Sequence, residues 1–109
     1  MSNHERIARL GQMADMVFDT KAARLREAAA KRDSLRNKID TLNRPVGAEV
    51  DDPALARFLF SYESWAAGRR AELNIQLASA QGEWLSQLDR TRRAFGQQQV
   101  LKRIAHKLR

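Results

Sequence analysis

The stretch PALARFLFSYESWAAGRRAELNIQLASAQGEWLSQLDRTRRAFGQQQVLKRIAHK, Pro53 to Lys107, decides the fold. It holds no proline after Pro53. Leu55, Leu59, Tyr62, Ala66, Leu73, Leu77, Ala80, Trp84, Leu88 and Phe95 recur along it at steps of three, four or seven. That spacing keeps one narrow face of an α-helix apolar over many turns. At 1.5 Å per residue, a helix of about 55 residues runs roughly 80 Å. A lone stripe of that length needs a partner, because helix stability in proteins comes mostly from packing the apolar face.

The partner lies upstream. Ser2 followed by Glu5 fits a capping box and starts a first helix near Asn3. Its stripe is Ile7, Leu10, Ala14, Val17/Phe18, Ala22, Leu25, Ala28/Ala29, Leu35, Ile39 and Leu42. From Ile7 to Leu42 is 35 residues, five heptads, as in a left-handed coiled coil. Arg44 precedes Pro45 and is pushed out of the α region, so the helix ends near Asn43. Pro45, Gly47 and Asp51-Asp52-Pro53 make the one break in the chain, with Asp52 as N-cap and Pro53 at the first helical position. The expected fold is all-α: an antiparallel two-helix coiled-coil hairpin with the second helix longer than the first. It forms a single domain over residues 1–109, with a helix at about 3–43, a turn at about 44–52 and a helix at about 53–107.

If Asn43 and Pro53 flank a turn of about nine residues, facing residues have numbers that sum to about 97, to within several. Leu42 then faces Leu55, Leu35 faces Tyr62, and Leu25 lies near Leu73. Trp84 falls beside Met13 and Met16, Lys21 near Gln76, and Gly68 opposite Ala28–Ala30. The segment from Gln97 to Arg109 is left as an overhang without a partner in the first helix. Gly68, Gly82 and Gly96 recur every 14 residues, which reads either as a track for close approach of another chain or as coincidence.

Composition bounds the function. The chain has 109 residues, 30% of them charged, with five glycines, two prolines and no cysteine. Disulfides and thiolate chemistry are thereby excluded. No apolar run reaches the length of a membrane span, and the opening MSNHERIARL lacks an apolar leader core, so a cytoplasmic protein is expected. The net charge of +7 is polarised. Residues 44–53 are acidic, whereas from Arg90 onward there are seven basic residues and no acidic one. His4 and His106 have no companions at metal-ligand spacing, and no phosphate loop, HExxH or calcium loop is present. No metal, cofactor or catalytic residue is expected, and an enzyme is not.

The candidate partner-binding residues are Arg90, Arg92, Arg93, Leu101, Lys102, Arg103, Ile104, Lys107, Leu108 and Arg109. Together they form an amphipathic helix end with a basic face. Arg92-Arg93-Ala94-Phe95-Gly96 through Val100-Leu101-Lys102-Arg103, at the basic end of a long helix, resembles the FliJ/YscO type of stalk and chaperone-escort proteins of flagellar and type III export. The two-helix architecture extends that resemblance over most of the chain. It implies a non-enzymatic stalk whose paired helix termini sit in the central hole of a hexameric export ATPase, with the remaining surface contacting the export gate or substrate chaperones. The alternatives are a basic helical nucleic-acid-binding module, for which the pI near 10.8 speaks, and a general coiled-coil adaptor. A membrane-surface role for the amphipathic tail is a third. Charged outer faces favour a monomer, while Ile75, Phe58 and Phe60 lie off the main stripe and offer a contact for dimerisation.

Overall fold

The computed structural model describes residues 2–44 and 51–108. It is an all-α helical hairpin, with α1 at Asn3–Leu42 and the longer α2 at Pro53–Lys107. Both starts are capped as the sequence dictates. The Glu5 N–H donates to Ser2 Oγ at 3.1 Å, and the Ala54 N–H donates to Asp52 Oδ1 at 3.0 Å, with Pro53 at the first helical position. α1 stops one residue earlier than expected, and the Asn43 N–H still closes onto the Ile39 carbonyl at 3.0 Å. Of the expected turn, Pro45 and Gly47 lie outside the described residues.

The helices pair in two compact units, residues 31–81 and residues 1–30 with 82–109. In the first unit Leu35, Leu73 and Ala80 are buried, with Ile39, Leu42 and Leu77 packed against them. Arg70 Nη2 donates to the Leu42 carbonyl at 3.3 Å and to Glu63 Oε2 at 3.2 Å. A guanidinium there satisfies a carbonyl left without an intrahelical partner and places positive charge at the negative end of the α1 dipole. In the second unit the Phe18 and Phe95 rings meet in a tilted pair, 5.8 Å between centroids and 52° between planes, and Ala28 and Ala94 are buried. The Thr91 hydroxyl reaches the carbonyl of Lys21 at 3.1 Å and that of its own-helix Gln87 at 2.7 Å.

These contacts overturn the expected register. Leu42 meets Arg70 rather than Leu55, and Phe95 sits beside Phe18. α2 is displaced by about 15 residues, roughly four turns. Lys21 meets Thr91 and not the Gln76 region. Met13 and Met16 are 61% and 69% exposed and form no pocket for an indole. A methyl group added to Gly68 would have nothing within 4 Å, so that glycine does not press on α1. The expectation failed because a link of about ten residues spans up to roughly 33 Å when extended. Such a link does not force Asn43 and Pro53 to one level.

The Thr91 hydroxyl ties α2 to the α1 backbone in this unit, from a buried threonine to the carbonyl of a half-buried lysine. Thr91→Val keeps the shape and removes the donor, so unfolding free energy should fall by about 1 kcal/mol in chemical denaturation followed by circular dichroism. An unchanged midpoint would mean that Gln87 alone takes the hydroxyl.

Candidate functional site

The basic end of α2 is built on helical geometry alone. Gln99, Lys102, Arg103, His106 and Lys107 follow one another at i, i+3, i+4, i+7 and i+8 and line a single surface patch. Arg92, seven residues before Gln99, falls on the same face. The side chains of Arg92, Lys102, Arg103 and Lys107 are exposed. Arg93 points to a different flank, where it pairs with Asp89 at 3.0 Å one turn back; both groups are exposed and the pair adds little stability. Arg90 is exposed as well.

The expected overhang is not free. Gln98 Nε2 donates to Asp15 Oδ1, so the segment beyond Gln97 runs beside the start of α1. Leu101 is half-buried, whereas Ile104 and Leu108 remain 38% and 49% exposed. Arg109 lies outside the described residues. The candidate set therefore divides. Arg92, Lys102, Arg103 and Lys107 share one outward face, while Arg93 and Leu101 line an open groove with Ala14, Gly96, Gln97 and Val100. That groove has a volume of about 670 Å³ and mostly aliphatic walls, and it lies beside the basic face.

Ala14 and Val100 were missed as groove walls. Ala14 comes from α1, and the displaced register assigned it another neighbour. Gln99 and His106 were missed for a different reason: neither is a lysine, an arginine or an apolar residue of the amphipathic end. Their spacing to Lys102, Arg103 and Lys107 was the available signal.

No protein-family model matches this chain, and neither does any curated protein or solved structure. Among the described residues no group of three His, Cys, Asp or Glu side chains could hold a metal ion, and no helix is long and apolar enough to cross a membrane. The site offers a row of cations with long aliphatic stems, next to an apolar groove. Chemically, that arrangement suits binding an acidic, partly apolar macromolecular surface.

Proposed function

We propose that the protein is a non-enzymatic stalk of a flagellar or type III export apparatus, which docks its basic helix end on acidic loops of a hexameric export ATPase. The observation that carries this reading is the Arg92, Lys102, Arg103 and Lys107 face standing on a stretch of α2 that is braced by the start of α1. A shaft seated in a ring needs stiffness and charge complementarity, and a paired helix end supplies stiffness that a single frayed helix lacks. On this reading the mechanism is binding and mechanical coupling, with no bond made or broken. The remaining surface contacts the export gate or chaperones, and the protein works in the cytoplasm.

The test uses the purified export ATPase of the same organism. The chain should co-sediment with the assembled ring, with an affinity that falls as salt rises. The triple variant Lys102→Glu, Arg103→Glu, Lys107→Glu should bind roughly 100-fold more weakly at about 0.15 M salt, because the side chains are exposed and their interactions screened but numerous. Its circular dichroism should match the parent's. Absence of ring binding by the parent chain, or retention of DNA or RNA with a steep salt slope in its place, would sink the stalk reading in favour of a nucleic-acid module.

A further inference from the structure

Two recesses follow one another along one flank of the unit formed by residues 1–30 and 82–109. The first is the groove that Val100 and Leu101 of α2 share with Ala14 of α1. The second, about 420 Å³, is lined by Met16, Val17, Thr20, Lys21 and Arg24 of α1. Ala14 and Val17 stand three residues apart, so one side of α1 serves both. That side reads Arg6, Leu10, Met13, Val17, Thr20 and Arg24, at alternating steps of four and three. Its large apolar members stay in solvent: Leu10 is 46%, Met13 61% and Val17 44% exposed, and Val100 on the α2 wall is 52% exposed. A methyl group added to Gly96 in the groove would meet nothing within 4 Å, so the backbone there is open to a close neighbour.

Charge is sorted by side on α1. Glu5, Asp15 and Asp19, the carboxylates of the first 26 residues, fall on one line with Ala8 and Gln12 at steps of three and four. Asp15 on that line holds Gln98, which is not a wall of the groove. The apolar side carries Arg6 and Arg24 at its two ends, and no carboxylate stands in the walls of either recess. Arg6, Lys21, Arg24 and Arg90 make no ion pair with another described residue, whereas Arg93 is paired with Asp89. The result is an apolar furrow bordered by cations whose charge nothing in the hairpin answers.

We propose that this flank seats an amphipathic helix of a partner protein, apolar on its inner side and acidic along its edges. A furrow along paired helices takes a third helix through anchors at i, i+3, i+4 and i+7. Met13 and Met16 suit such a guest, since unbranched thioether side chains adapt to the shape that arrives. The unpaired cations beside the apolar walls select glutamate and aspartate at the guest's edges and steer it in. A flat lipid surface would span the furrow and leave Ala14 and Leu101 uncovered. The groove walls hold no aromatic ring on which a nucleic-acid base could stack. A second copy of the chain would bring like cations together, and the acidic line of its α1 offers only Ala8 as an apolar anchor. The furrow shares no residue with the Lys102, Arg103 and Lys107 patch, so the proposal stands apart from the stalk reading.

The probe is a synthetic helical peptide of about 18 residues, roughly 27 Å long, with leucine anchors and glutamate along both edges. Fluorescence anisotropy should show it binding the full chain with a Kd of roughly 10–100 µM. The same peptide with lysine in place of glutamate should bind at least about tenfold more weakly. Met13→Glu and Val100→Glu should each weaken the glutamate peptide about tenfold. Both positions are exposed, so circular dichroism of these variants should match the parent's. Arg6→Glu combined with Arg24→Glu leaves the apolar walls intact and should turn the preference round, so that the lysine peptide binds more tightly. The variant Lys102→Glu, Arg103→Glu, Lys107→Glu, expected to lose the ring, should hold the glutamate peptide to within about threefold of the parent. A glutamate peptide that fails to bind, equal binding of the two peptides, furrow variants that bind like the parent, a preference that does not turn round, or a basic-face variant that falls as far as the furrow variants would each overturn the proposal. So would capture of phosphatidylserine-containing vesicles or duplex DNA by a chain that ignores the peptide.

Discussion

Replacing Leu73 with alanine should lower the unfolding free energy by about 2–4 kcal/mol. Leu73 is 1% exposed and is the largest fully buried side chain among the described residues. It packs with Leu35 and Ala80, and Ile39, Leu42 and Leu77 close around it. The loss has two parts: the transfer free energy of the removed methyl groups, and the void left between two helices that cannot both collapse inward. Elsewhere the buried apolar positions are largely alanines (Ala28, Ala66, Ala80 and Ala94), each contributing little area. One leucine therefore holds a large share of a thin core, and a two-helix hairpin has little stability in reserve. Urea denaturation followed by circular dichroism should show a much lower midpoint for Leu73→Ala. Ile75→Ala, two residues on and 73% exposed, should leave the midpoint within about 0.5 kcal/mol of the parent. Equal effects at the two positions would mean that the helices pack through another face.

The two halves of the problem were unequally legible in the sequence. Helix existence and limits were readable because they rest on local chemistry: Ser2 and Asp52 accept the first free N–H groups, and Pro53 fits only a helix start. Register was not readable, and the reason lies in the stripe itself. An apolar line that repeats every seven residues matches its partner again after a slide of seven or 14, and the observed displacement of about 15 residues is close to two heptads. Only non-repeating contacts distinguish the alternatives: Phe18 with Phe95, Thr91 with the Lys21 carbonyl, and Arg70 with the end of α1. None of these is visible as a pattern, since each depends on which single residue lies opposite.

The same register decides what the basic end is. Charge composition singled out the candidate face, because a run without acidic residues needs no pairing partner to be seen. Whether that face stood on a free tail or on a braced helix depended on the slide. Asp15 meeting Gln98 is the contact that makes it braced. Gln87 shows how such specificity is bought: its Nε2 donates to Glu83 at 2.9 Å, yet its buried Oε1 has no hydrogen-bond partner. A leucine there would suit every register equally well. A polar side chain in the seam penalises the wrong ones at some cost in stability.

The helix glycines lead to an opposite expectation. Changing Gly11, Gly82 and Gly96 together to alanine should raise the unfolding free energy by roughly 2–3 kcal/mol, since each mid-helix glycine costs about 1 kcal/mol relative to alanine. For all three, the space where a side chain would begin has no atom within 4 Å, and each lies inside a regular helix. Nothing in the hairpin itself therefore calls for glycine, and the gain comes from reducing the freedom of the unfolded chain. Denaturation midpoints should rise with unchanged slope, which would separate a stability gain from a change in compactness. A fall in stability would mean that one of these positions is crowded in solution. A gain in stability accompanied by weakened binding to the ring for Gly96→Ala alone would give that glycine its reason: it lines the groove with Ala14, Arg93 and Leu101, where a side chain would hold a docked surface away.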